Sequence, residues 1–107
     1  MELNQYEIVL VNLDPTIGSE IKKTRPCAIV SPNEMNKYLR TIVVAPITTK
    51  SKKYPTRIEV KFENRIGWIV IDQVRTIDKR RIVKVLGRLS QPEIKEVKSV
   101  IRETYVD

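Results

Sequence analysis

The chain has 107 residues, 41% of them hydrophobic, which suits one packed domain over residues 1–107 and excludes a disordered tail. Twenty Lys and Arg against thirteen Asp and Glu leave a net charge of +7, which favours a polyanionic partner such as nucleic acid, a membrane surface or an acidic protein. Histidine is absent and Cys27 is the only cysteine, so His-ligated metal sites, histidine acid–base pairs, a Cys–His nucleophile and an intrachain disulfide are excluded.

Met1-Glu2-Leu3-Asn4-Gln5 lacks the basic start and apolar stretch of a signal peptide, and no apolar run reaches the length of a membrane span. A cytoplasmic location with no membrane partner is expected. Residues 8–11 and Leu13 form the first dense apolar strand, stopped by Asp14-Pro15 and followed by a loop through Gly18. Residues 26–31 give a second strand, in which Cys27 reads as a small core residue. Ser31-Pro32-Asn33-Glu34 has the form of a capping box with proline at the first helical position, so a short helix is expected there. Residues 41–47 are β-branched and apolar, the pattern of a buried strand. From Arg57 to Phe62 charged and apolar residues alternate strictly, which predicts one wet and one buried face. Gly67 opens Trp68-Ile69-Val70-Ile71, apolar on both faces and expected to be central, and residues 83–89 offer a weaker strand. Ser90-Gln91-Pro92-Glu93 is a second capping box, after which Ile94, Val97, Ile101 and Tyr105 recur at helical spacing. Five or more short strands with one terminal amphipathic helix predict a mainly β chain with a strongly bent sheet or small barrel.

Three basic clusters stand out: Lys22, Lys23 and Arg25; Lys50, Lys52, Lys53 and Arg57; and Lys79, Arg80, Arg81, Lys84 and Arg88. Each alone reads as a solvated face, whereas three on so small a body favour a groove that tracks phosphates. Tyr54 adds a stacking surface to the second cluster, a mixture that suits single-stranded nucleic acid. Pro26 biases Arg25 toward an extended backbone where loop becomes strand, and the planar guanidinium suits a phosphate; a structural salt bridge to Glu20 or another carboxylate explains Arg25 equally well. Thr48, Thr49 and Lys50 follow a buried strand and place hydroxyls and a cation where it surfaces, although Thr at a strand end is ordinarily just a β-branched residue. Gln73 and Arg75 could touch bases or phosphates, or could simply be a polar strand end.

At these residues the sequence resembles the MazF/PemK/Kid family of toxin–antitoxin ribonucleases. The resemblance spans nearly the whole chain and rests on Leu13-Asp14-Pro15, Gly18-Ser19-Glu20, Arg25-Pro26, Ile47-Thr48, Tyr54-Pro55 and Asp72-Gln73-Val74-Arg75-Thr76-Ile77 in that order and spacing. It implies an SH3-like barrel of five to seven strands with a short internal helix, a homodimer, and single-stranded RNA lying in a groove across or beside the dimer interface. It further implies an antitoxin whose acidic C-terminal tail occupies that groove. Arg25 and Thr48 take the family's catalytic roles, and Glu20, Gln73 and Arg75 those of groove residues. Ser19, Lys22, Thr49, Lys50, Lys52 and Tyr54 complete the expected RNA-binding set. Two positions depart from the family pattern: Tyr6-Glu7 stands where a Gly-Asp pair is frequent, and Ile21 where glutamine is frequent.

The expected chemistry uses the RNA's own 2′-hydroxyl, which attacks the adjacent phosphorus in line while the 5′-oxygen leaves. Products are a 2′,3′-cyclic phosphate and a 5′-hydroxyl. Without histidine, and with no cofactor or metal expected, catalysis rests on positioning and on cations aimed at the growing charge, with Arg25 and Thr48 as donors and Glu20 as candidate base. A non-catalytic nucleic-acid-binding barrel is one alternative. A gyrase-binding toxin of the CcdB type is another, yet those end in Trp-Gly-Ile, whereas this chain ends Tyr105-Val106-Asp107.

Overall fold

The computed structural model describes residues 2–13, 23–51 and 53–106. Within them lie seven strands: β1 (Glu7–Asn12), β2 (Thr24–Ile29), β3 (Thr41–Thr48), β4 (Arg57–Phe62), β5 (Arg65–Val70), β6 (Arg75–Asp78) and β7 (Ile82–Arg88). Helix α1 (Asn33–Tyr38) joins β2 to β3, and α2 (Gln91–Ile101) follows β7 and runs on into a wider helical turn, Arg102–Val106. All ladders are antiparallel, in the order β4-β5-β3-β2-β1-β7, with β6 also paired to β3. This is the mainly β, SH3-like architecture the resemblance implied, a curled sheet with one short and one terminal helix.

The curl has two visible sources. On one edge β3 pairs first with β6, from Thr41↔Asp78 to Val44↔Arg75, and then with β5, from Ile47↔Ile69 to Thr48↔Trp68. One strand serving two successive partners must bend between them, and a short 3₁₀ turn, Ile71–Gln73, carries the chain from β5 to β6. On the other side of the sheet, the β1–β7 register shifts between Ile8 and Val9 and again between Leu10 and Val11; such bulges increase local twist.

Side chains alternate across this bent sheet into two cores. One face buries Ile8, Ala28, Ala45, Ile47, Ile58, Val60 and Ile69 against Ile94 and Val97 of α2. The other buries Val9, Val11, Cys27, Ile29, Ile42, Val44 and Ile77. Strands β1, β2 and β3 contribute to both, which is why their sequences read as unbroken apolar runs instead of alternating ones.

Helix α2 begins as its sequence predicts. Ser90 Oγ accepts from the Glu93 N–H (3.3 Å) and Glu93 Oε1 accepts from the Ser90 N–H (2.7 Å). Glu93 Oε2 also accepts from the Lys61 N–H of β4 (2.9 Å), tying the helix start to the sheet, and the Tyr105 hydroxyl donates to the Ile71 carbonyl (2.6 Å). The first capping box behaves differently. Pro32 occupies the cap position of α1 with no side-chain cap bond, and the buried Ser31 hydroxyl instead accepts from the Val43 N–H (3.0 Å) and donates to Asn36 Oδ1. Inside the fold a strand amide and a buried amide side chain both need that hydroxyl more than a solvated helix start does.

Three of the described residues are left-handed without being glycine. Glu63 and Asn64, with φ of 48° and 60°, make the two-residue turn between β4 and β5, whose twist matches that of the strands it joins. Tyr6 has φ of 71°; its N–H donates to the Ile29 carbonyl (2.7 Å) and its carbonyl accepts from the Leu89 N–H (2.9 Å), so it joins three segments at a position that suits the glycine frequent in the resembled family.

Candidate nucleic-acid interface

The β2–β3 ladder pairs Ile29↔Val44, Ala28↔Ala45 and Cys27↔Pro46, and continuing that register sets Arg25 across from Thr48. Pro26 lacks the N–H that the next β2–β3 ladder bond, to Ile47, would need, and the ladder ends at Cys27↔Pro46, which leaves this end of the pair as an open lip. The two residues are nevertheless anchored from outside. Arg25 pairs with Val11 of β1, and Thr48 with Trp68 of β5. Strand neighbours thus position the side chains while the backbone between them stays open.

Arg25 and Thr48 line a groove of about 350 Å³ together with Thr24, Pro26, Ile47, Thr49, Lys50, Phe62 and Arg65. Three cations and three threonine hydroxyls face the same small volume, and its described lining holds no carboxylate. Such a volume favours an anion. Thr48 Oγ1 accepts from the Lys50 N–H (3.2 Å), which holds the turn after β3 and leaves the hydroxyl proton for another acceptor. Arg25 is exposed, and among the described residues it forms no ion pair. The floor is tightly built: a Cβ added to Gly67 would lie 2.7 Å from Ile47 Cγ2 and 2.9 Å from Phe62 Cε1.

Cys27 sits two residues inward from Arg25 and is 1% exposed. Burial pushes its thiol up to about 12, against the opposing pull of Arg25 and Arg75. A neutral thiol at that depth packs; it does not attack.

The other expected contacts are more scattered. Arg57 is committed to structure: its Nε lies 3.3 Å from Asp72 Oδ1, its Nη1 donates to Ser51 Oγ (3.3 Å), and its guanidinium rests 5.6 Å from the centroid of the Tyr54 ring. Tyr54 is exposed but outside the groove lining, as are Gln73 in the 3₁₀ turn and Arg75, which stands opposite Val44 on the far side of β3. Arg75 does reach the Cys27 thiol electrostatically, as Arg25 does, so the two lie toward the same region of the sheet. In the third basic cluster Arg80 grips both oxygens of Asp78 at 3.1 Å, Arg81 donates to the Asn12 carbonyl (3.3 Å) and Arg88 to the Gln5 carbonyl (3.3 Å). Ser19, Glu20, Lys22 and Lys52 lie outside the described residues.

Sequence reasoning missed Phe62 and Arg65. Both belong to the turn end of the β4–β5 hairpin, and the one sequence signal for them was Gly67, whose lack of a side chain admits Phe62. No helix among the described residues is long and apolar enough to cross a membrane, and no three His, Cys, Asp or Glu side chains among them are grouped to hold a metal ion.

A family model described as PemK-like, MazF-like toxin of type II toxin–antitoxin system matches residues 4–105. The curated Endoribonuclease MazF of Staphylococcus saprophyticus is 36% identical, with 92% of this chain and 88% of that protein covered. In fold, the chain matches a MazE–MazF crystal structure from Deinococcus radiodurans with a TM-score of 0.82 at 23% identity, covering 96% of this chain and 95% of that one. It also matches a mycobacterial endoribonuclease in complex with its cognate antitoxin, with a TM-score of 0.81 at 18% identity, covering 94% and 92%.

Proposed function

The chain belongs to the PemK-like, MazF-like family of type II toxin–antitoxin toxins, and from that premise we propose that it is an endoribonuclease that cuts single-stranded RNA in the groove between β2 and β3. The observation that carries the reading is the meeting of Arg25 and Thr48, from two different strands, in a cationic groove whose described lining holds no carboxylate. RNA brings its own nucleophile. The 2′-oxygen bonds to the adjacent phosphorus, the bond to the 5′-oxygen breaks, and the departing oxygen takes a proton from water and leaves as a hydroxyl. Negative charge grows on the phosphoryl oxygens in between, where the Arg25 fork and the Thr48 hydroxyl donate. Glu20, five positions before Arg25, is the carboxylate assigned to take the 2′ proton, because a guanidinium stays protonated and makes a poor base. No step of this scheme calls for a metal ion or a cofactor.

Lys50 and Thr49 hold the flanking nucleotides, and Ser19, Lys22, Lys52, Tyr54, Gln73 and Arg75 extend the path beyond the groove. Two copies of the chain pair so that one RNA spans both grooves, and an acidic C-terminal tail of the cognate antitoxin blocks them. The chain's net charge of +7 supports both the RNA and the acidic tail.

The test is cleavage of a long natural RNA by the purified chain in EDTA, with the ends mapped. Wild type is expected to leave 2′,3′-cyclic phosphate and 5′-hydroxyl ends. Arg25→Ala and Thr48→Val are each expected to lower kcat by about 10²–10³, the usual cost of one lost transition-state donor. Their Tm is expected to stay level, or to rise for Arg25→Ala as repulsion among the groove cations is relieved. An Arg25→Ala protein that still cuts refutes the assignment, and binding without cutting by wild type favours a plain RNA-binding barrel.

A further inference from the structure

Arg65 is the groove residue whose setting differs from that of the others. Its guanidinium lies over the Phe62 ring, 5.7 Å from the centroid, while its side chain keeps 61% of its surface exposed. Phe62 is 7% exposed and is wedged against Gly67, so the ring is a rigid seat and not itself a free stacking surface. The hairpin beneath is stiff as well, closed by the Phe62↔Arg65 pair around the left-handed Glu63 and Asn64. Among the described residues the single carboxylate contact of Arg65, to Glu63 Oε1, is long at 3.9 Å and joins two exposed groups, so it does little to hold the side chain away from a ligand.

The guanidinium held over this ring keeps most of its surface open. Unpaired RNA bases stack on arginine planes as they do on aromatic rings. Arg25 and Thr48 occupy the same groove, so a base on Arg65 belongs to a nucleotide beside the cleaved linkage. We propose that Arg65, held over Phe62 in the lining of the Arg25–Thr48 groove, stacks on the base of a nucleotide flanking the cut and favours the bases that stack best there. This deepens the ribonuclease reading and rests on it.

The plane of the side chain matters in this role, not only its charge. The test compares wild type, Arg65→Ala and Arg65→Lys by steady-state kinetics and by mapping cut ends on one long RNA. Both variants are expected to raise KM about tenfold, the size of one lost stacking contact, with a much smaller fall in kcat, and to relax base preference at one position next to the cut. Lysine is expected not to rescue, because it keeps the charge and loses the plane. Unchanged cut sites in Arg65→Ala, or full restoration of KM and preference by Arg65→Lys, would overturn the proposal. The two readings fail separately: a wild-type chain that leaves RNA intact removes the nuclease itself, whereas a cutting wild type matched by its Arg65 variants removes only the base contact.

Discussion

The helix-backed core and the groove lip are built on opposite principles. Under α2, Ile94 and Val97 are buried against the sheet, and the helix start satisfies its orphan amides through Ser90 and Glu93. At the lip, Pro26 denies the β2–β3 pair its next ladder bond, and Arg25, Lys50 and Arg65 share a volume whose described lining offers no counter-charge. The first region is complete in the free protein. The second gathers like charges, a repulsion that a bound anion would relieve.

The sharpest way to break this separation is through the core. Ile94→Ala removes a side chain that is 6% exposed and is expected to lower stability by about 2–5 kcal/mol in thermal unfolding. Well below its lowered Tm the variant is expected to cut RNA within about twofold of wild type, since one lost core side chain leaves the groove donors in place. A loss per folded molecule as deep as that of Arg25→Ala would mean that the two regions are one unit.

Gly67→Ala probes the seam between them. The new Cβ would press on Ile47, held in β3, and on Phe62, at the end of the outer hairpin, so Phe62 is the side chain that yields. About 1–3 kcal/mol of destabilisation is expected from overpacking, together with weaker RNA cleavage as the groove floor and the seat of Arg65 shift. A destabilised variant with wild-type kinetics would uncouple floor from function.

The smallest effect concerns acid. Burial tends to raise the Asp72 carboxyl, but hydrogen bonds from Thr56, its own N–H and Arg57, with the Arg57 charge, outweigh it and hold the group below its ordinary value. A folded-state pKa below the unfolded one, about 3.9, means that the stabilisation is present above that pH and is lost as pH falls through the folded value. The pair is partly exposed, so it contributes under about 1 kcal/mol after solvent screening. Stability curves of wild type and Asp72→Asn are expected to differ near neutrality and to converge below about pH 4; a gap that persists in acid contradicts this account.

Much of this molecule was legible along the chain. The Ser90 capping box, the alternation from Arg57 to Phe62 and the apolar runs of β1, β2 and β3 report local rules, because helix starts and half-buried strands are decided by neighbours in sequence. Strand β6 was not foreseen, since four residues with a single buried side chain, Ile77, carry almost no pattern. Ser31 was misread because its hydroxyl is claimed by Val43, twelve residues on, through a contact that no local motif encodes. Family resemblance singled out Arg25 and Thr48, yet only the β2–β3 register brings them face to face.

Composition by itself determined the chain's net charge of +7 and the exclusion of histidine chemistry, because those follow from counting groups and their pKa values. Tertiary structure decided which cations act together. It drew Arg57 into a structural pair with Asp72 and brought Arg65 from a distant hairpin to the groove. The reason is geometric: a charge has the same sign wherever it sits in the chain, but whether it meets a carboxylate, a ring or open water depends on which strands the sheet sets side by side.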